Sequence, residues 1–211
     1  MNTRLIVFTR FPRAGSAKTR LIPLLGAAGA AALHRDLTEH TLGTVDRSAA
    51  SVPCATQIRY TGSSPEEMAG WLGAHRDCVD QGDGDLGARM ERALQDAFDQ
   101  SVDRAVVIGA DCPDLNAEIV KHAFDLLIRT DLVVGPALDG GYYLVGIRRS
   151  AWERSRGPLF SDMPWSTDEV LTETVRRAYA AGLQLARLDF LGDVDRPEDL
   201  IVWERARSKK T

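Results

Sequence analysis

The chain has 211 residues, and its 26 Lys and Arg against 30 Asp and Glu give a formal net charge of −4. That balance excludes a general nucleic-acid binder, which would need a broad positive surface. Hydrophobic residues make up 44%, enough for a real core, yet no apolar run approaches the ~20 residues that a spanning helix needs. The three cysteines, Cys54, Cys78 and Cys112, are scattered without CxxC spacing, and the apolar stretch before Arg10 is too short for a signal peptide. Both features suit reduced thiols and a cytoplasmic protein.

In chain order, Arg4–Phe8 reads as a buried strand, followed by a loop rich in Arg, Gly and Pro up to Gly26. Residues 27–45 carry helical periodicity, with Leu33, Leu37, Leu42 and Val45 along one side. Residues 55–60 form a strand, residues 65–72 a helix with Pro65 near its start, and Cys78-Val79 a weak strand. Residues 86–98 are helical through Leu86, Met90, Leu94 and Phe98. Residues 104–108 are a strand, and Asn116 caps a helix running to Ile128. Two strands, 132–136 and 142–147, are joined by a link too short for a helical crossover. Ser166-Thr-Asp-Glu169 has the form of a capping box opening a helix to Ala180. A last strand covers 183–190, and Asp195-Arg-Pro-Glu198 opens a C-terminal helix. No repeat or linker interrupts the pattern, so residues 1–211 are expected to form one α/β domain. Its fold is a three-layer α/β/α arrangement with a mostly parallel mixed sheet and one antiparallel excursion.

Several segments carry chemistry. The loop after the first strand ends in Lys18-Thr19-Arg20, and such cations suit a phosphate chain. It is not a Walker A loop, because Pro12 and Ala17 stand where the required glycines would be. Gly82, Gly84 and Gly87 satisfy G-x-G-x-x-G, but the preceding strand is poor and the motif lies outside the first βα unit, so a Rossmann reading is set aside. Two readings of these residues stay open: flexible backbone beside Gln81 that a nucleobase can approach closely, or a turn leading into an amphipathic helix. Asp111 follows a strand within Gly109-Ala-Asp-Cys-Pro-Asp114; it suits a magnesium ligand at a strand end or a turn aspartate bonding its own backbone. Asp193 and Asp195 alternate after the last strand and share one side of an extended segment. Asp195 has a second explanation as a helix cap with Glu198, and Asp193 has none. Asp139-Gly-Gly-Tyr142 is either a tight turn or a ligand-accessible surface. Ser166 is accounted for by capping, and Trp165 by core packing or a pocket wall. The histidines His34, His40, His75 and His122 form no metal spacing, and Gly-x-Ser-x-Gly is absent.

The N-terminal strand and Lys-Thr-Arg-Leu loop, the mid-chain Gly-x-Asp-x-Pro and the late Asp-Val-Asp-x-Pro-Glu-Asp-Leu together resemble the nucleotide-diphospho-sugar transferase superfamily, the GT-A fold. Asp-Gly-Gly-Tyr-Tyr-Leu-Val-Gly and Trp-Ser-Thr resemble its glycosyltransferase-like branch, known as a domain of unknown function and similar to 2-phospho-lactate guanylyltransferases. The resemblance implies that Arg13, Lys18 and Arg20 hold donor phosphates. It places base recognition at Gln81, Gly82 and Gly87. It implies that Asp111, Asp193 and Asp195 bind magnesium or manganese, with Lys18 and Asp111 catalytic. The acceptor would sit at Asp139, Gly140, Gly141, Tyr142, Trp165, Ser166 and Thr167. Phe11-Pro-Arg13 stands where the superfamily's sugar nucleotidyltransferases carry a denser glycine loop.

The function so implied is a metal-dependent transferase that takes a nucleoside triphosphate or a nucleotide sugar and a small-molecule acceptor. In the first reading, nucleotidyl transfer to a phosphorylated or carboxylated acceptor releases pyrophosphate. The alternatives are a glycosyltransferase using a nucleotide sugar, and a nucleotide-binding module without turnover. No membrane or nucleic-acid partner is expected, and a homodimer is compatible with the chain.

Overall fold

A computed structural model describes residues 2–48, 52, 54–155 and 157–208. Seven strands form one sheet: β1 (Thr3–Phe8), β2 (Ala55–Tyr60), β3 (Cys78–Asp80), β4 (Arg104–Ile108), β5 (Leu132–Pro136), β6 (Tyr142–Arg148) and β7 (Leu185–Arg187). Their order is β3-β2-β1-β4-β6-β5-β7. All pairings are parallel except those of β6, which runs antiparallel to both β4 and β5. The expected antiparallel excursion is therefore one strand inserted between two parallel neighbours. The carboxyl ends of the six parallel strands, together with the start of β6, consequently lie along one edge.

Alternation along the central strands builds both faces of the sheet. Leu5 and Val7 of β1 and Val106 and Ile108 of β4 face one cluster, and Ile6, Ala105 and Val107 face the other. The first cluster is covered by α1 (Ile22–Ser48), α2 (Pro65–Leu72) and α4 (Ala117–Leu126), through residues such as Val45, Met68 and Phe124. The second is covered by α3 (Leu86–Asp99), α5 (Arg149–Ser155) and α6 (Val170–Ala180), through Leu94, Trp152 and Ala178. A smaller cluster joins Leu21, Leu33 and Leu37 to Trp203 of α7 (Leu200–Ser208). Three layers result.

Several local details differ from the sequence reading, which has no counterpart of α5. A short helical turn, residues 22–25, precedes the expected helix: Pro23 occupies it where no N–H is needed, and Gly26, at φ 69° and ψ 165°, breaks α1 so that its long segment starts at Ala27 as expected. The last strand covers only Leu185–Arg187; its pairing with β5 ends at Val134–Arg187 and resumes, one residue out of step, as an isolated bridge between Ala137 and Leu191. Ser166 does not cap α6: it adopts φ 66°, and the helix starts at Val170 with Glu169 in the cap position and no side-chain cap. Asp195 is not the cap of the C-terminal helix either. Arg196 stands in the cap position, and Asp199, three residues on, reaches back so that its carboxylate accepts from the backbone N–H groups of Asp195 (3.0 Å) and Arg196 (2.7 Å).

Candidate active site

The topology explains why residues far apart in sequence meet. Lys18 and Arg20 follow β1, Asp111 follows β4, Asp139 follows β5, and Asp193 and Asp195 follow β7, all on the shared carboxyl edge. Open α/β sheets bind ligands there. Two backbone ties hold the edge together: Val194 N–H donates to Asp111 O (2.9 Å), and Gly109 N–H donates to Tyr143 O (3.1 Å).

The loop after β1 delivers its lysine inward. Lys18 is a non-glycine residue in the left-handed region, φ 49° and ψ 47°, a conformation that persists only where its surroundings impose it. Its side chain is 5% exposed, with Nζ 3.0 Å from Asp111 Oδ2 and 3.9 Å from Asp195 Oδ1. Arg20 also pairs with Asp195. Burial opposes ionisation of Asp111, but the Lys18 ammonium, its hydrogen bond and the nearby His34 together outweigh it and hold the carboxyl below its ordinary range.

His34 on α1 belongs to this site, although no motif marks it in the sequence. Its Nε2 lies 2.9 Å from the Arg10 carbonyl, so Nε2 carries the proton there. Nδ1 is buried without a hydrogen-bond partner and lies 4.0 Å from Asp111 Oδ1. Burial lowers the imidazole pKa, which favours the neutral ring with its lone pair turned toward that carboxylate.

The remaining acids crowd one another. Burial, followed by the charge of Asp139, pushes the Asp193 carboxyl up to about 6. The Cys112 thiol is raised well above its ordinary value by burial and then by Asp111, Asp193 and Asp139. Asp139, expected on the acceptor side, therefore also shapes the acidic centre.

Beside these groups opens a cavity of about 850 Å³. Asp111, Asp193, Asp195 and Arg20 line one part of it, and Asp139, Gly141, Tyr142, Trp165, Ser166 and Thr167 line another. Gly140 stands behind this wall, with φ +90°; a Cβ there would lie 2.4 Å from the Asp168 backbone. Leu171 N–H donates to Gly140 O (2.9 Å), fastening the start of α6 to the turn after β5. Asp139 Oδ1 accepts from Gly141 N–H (2.9 Å). The turn reading of this segment holds, and Asp139, Gly141 and Tyr142 of the same segment line the cavity.

The other expected nucleotide contacts stand apart from the cavity lining. Arg13 is paired with Glu67 on α2 at 2.8 Å. Gln81 is buried, and its amide nitrogen donates to the Thr9 (3.1 Å) and Arg59 (2.9 Å) carbonyls, so that it ties together the ends of β1, β2 and β3. Gly82 has φ +73° beneath the Arg92 guanidinium, and a Cβ on Gly87 would strike Phe160 O at 2.4 Å. Asp85 caps α3 by accepting from Ala88 N–H (2.8 Å). Residues 82–87 are thus a turn into a closely packed helix.

The comparisons agree with this architecture. A protein from Desulfovibrio desulfuricans G20, provisionally named a nucleotide-diphospho-sugar transferase, is similar at 33% identity and a TM-score of 0.91, over 100% of this chain and 90% of that one. CMP:2-keto-3-deoxy-manno-octonic acid synthetase complexed with CTP is similar in fold at 12% identity and TM-score 0.59, over 100% of both chains. Glucosyl-3-phosphoglycerate synthase from Mycobacterium tuberculosis, in complex with Mg2+ and uridine diphosphate, is similar in fold at 13% identity and TM-score 0.58, over 95% of this chain and 74% of that one. No curated protein matches. Residues 44–167, more than half of the chain, match the family described as "Uncharacterized protein conserved in bacteria (DUF2064)". With the nucleotide-diphospho-sugar transferase fold and this match together, the chain belongs to that bacterial family.

Proposed function

We propose that the protein is a divalent-metal-dependent transferase acting on a nucleoside-phosphate donor. The observation that carries this reading is the placement of Lys18, buried between Asp111 and Asp195 at the carboxyl edge beside the cavity. A buried cation shared by two carboxylates can exchange partners: donor phosphates take Lys18 and Arg20, and the carboxylates are then left to a metal ion. CTP and Mg2+ with uridine diphosphate, bound by two relatives of the same fold, support the ligand class.

Asp111, Asp193 and Asp195 are the residues that would hold magnesium or manganese. Among the described residues no three Asp, Glu, His or Cys side chains form a complete cage. Magnesium does not need one, since it commonly takes one or two carboxylates and completes its shell with phosphates and water. The raised Asp193 carboxyl, crowded by Asp139, is a site short of positive charge. When bound, the ion would neutralise charge developing on the phosphates. Lys18 and Arg20 would orient and stabilise the leaving phosphates, so catalysis rests on positioning and electrostatics, without a covalent protein intermediate. In nucleotidyl transfer, the acceptor oxygen bonds to the α-phosphorus as its bond to the β-phosphate oxygen breaks and pyrophosphate leaves. Glycosyl transfer, the alternative, releases a nucleoside diphosphate instead.

A thermal-shift screen of the four nucleoside triphosphates and common nucleotide sugars, with and without Mg2+, tests the proposal. A ligand at 100 times its Kd adds about 2.7 kcal/mol, which moves the Tm of a chain this size by roughly 5–10 °C. If no nucleotide shifts the transition in Mg2+, the proposal fails. If one does, the released product separates the two chemistries.

A further inference from the structure

The cavity has an uneven charge distribution. Its lining includes Asp111, Asp139, Asp168, Asp193, Asp195 and Asp199, against only Arg20 and Arg196 among basic residues. Arg20 is already paired with Asp195, and Arg196 lies beside it on the segment after β7. Along the wall from Ala137 to Val170, the described lining includes Asp139 and Asp168 and no Lys, Arg or His. A phosphate or carboxylate entering against that wall would meet charge of its own sign with no counter-charge to offset its loss of water.

The same wall suits a different ligand. Ionised carboxylates only accept hydrogen bonds, and their bonds from hydroxyl donors are among the stronger ones in proteins. One oxygen of Asp139 is turned to Gly141 N–H, which leaves the other to a ligand. Asp168 is exposed on the cavity lining, and it is its backbone rather than its side chain that lies against Gly140. Trp165 and Tyr142, edge to face at 6.4 Å, add an aromatic surface of the kind that small-molecule sites use beside a few oriented polar groups. We propose that the acceptor is a neutral, hydroxyl-rich small molecule, a polyol or free sugar, rather than a phosphorylated or carboxylated one. This inference rests on the nucleoside-phosphate donor reading. In either chemistry the acceptor hydroxyl oxygen forms the new bond, its proton passes to solvent, and pyrophosphate or a nucleoside diphosphate departs.

The test separates the two readings. Donor binding to the full chain is measured first with the four nucleoside triphosphates and the common nucleotide sugars in Mg2+; binding of none fells both. The bound donor, radiolabelled in the transferred group, is then incubated with the protein and a bacterial small-molecule extract split by anion exchange into neutral and anionic pools. Transfer of label into the neutral pool is expected. With donor binding intact, label entering only the anionic pool, or neither pool, overturns the acceptor inference and leaves the donor reading standing. As a second arm, Asp168→Ala should raise the acceptor KM roughly tenfold, the scale of one lost hydrogen bond to a charged group, with donor Kd unchanged. An unchanged acceptor KM in Asp168→Ala removes that residue from recognition and overturns the assignment of this wall.

Discussion

At the scale of single residues, Lys18 and Asp111 show how stability and chemistry separate. Lys18 is 5% exposed and Asp111 44%, so removing the ammonium leaves a carboxylate that water can still reach. Lys18→Met should therefore cost only about 1 kcal/mol of stability, as half-exposed ion pairs do. Losing one preorganised electrostatic group from the transition state costs far more, about 3–4 kcal/mol, or 100- to 1000-fold in kcat. Lys18→Met and Asp111→Ala should both melt near the parent temperature and turn over at least about 100-fold more slowly. Melting curves and steady-state rates with the donor identified by the shift screen check this, and a Lys18→Met rate close to the parent's would remove Lys18 from the chemistry. Asp111 was readable because a glycine, a carboxylate and a proline follow an apolar run. His34 was not, because one imidazole on a long helix carries no motif; only the fold turns its Nδ1 toward Asp111.

At the scale of elements, the central strands follow directly from apolar runs, and most helices from their 3.6-residue period. The failures lie where tertiary contacts override a local pattern. Ser166-x-x-Glu169 has the letters of a capping box, yet Gly140 packs on the Asp168 backbone and takes the Leu171 N–H, which holds the segment in another shape. Asp195 is equally suited by its letters to cap a helix, but Lys18 and Arg20 draw its carboxylate away, and Arg196 stands in the cap position with Asp199 reaching back to its N–H. Two glycines test the importance of such contacts. Gly140→Ala places a Cβ 2.4 Å from backbone at φ +90° and should destabilise by roughly 2–4 kcal/mol, since strain and overlap add. Gly70→Ala lies inside α2 with nothing within 4 Å, and should stabilise by about 0.5–1 kcal/mol. Urea denaturation of both variants decides the matter. Equal effects of the two would mean that the turn after β5 is not rigidly held against the start of α6.

At the scale of the whole molecule, the carboxyl edge brings together acids that the fold must tolerate before a ligand arrives. Their separation in sequence hides this: nothing local in Asp139 or Asp193 announces that burial and mutual charge will push the Asp193 carboxyl up to about 6. The sign of the consequence is definite. A carboxyl whose folded pKa exceeds its unfolded value of about 3.9 binds protons more tightly in the native state, so stability falls as pH rises from about 4 through 6. The cost is fully present above pH 6 and relieved below about 4. At 1.36 kcal/mol per pH unit it is no more than ~3 kcal/mol, and nearer 1–2 kcal/mol once solvent screening of a half-buried group is allowed for. Asp111 is displaced in the opposite direction, and its contribution is lost only below the usual carboxylate range, so the two windows do not overlap near neutrality. Asp193→Asn should accordingly stabilise the chain by about 1–2 kcal/mol at pH 7.5 and by much less at pH 4.5, while abolishing metal-dependent turnover. Magnesium should stabilise the parent more at pH 7.5 than at pH 4.5, because protonation competes for the same carboxylate. Urea midpoints at the two pH values, with and without Mg2+, provide the check. A gain from Asp193→Asn that is independent of pH would show that Asp193 is not strained by its neighbours, and the view of this edge as an acidic centre awaiting a cation would fall with it.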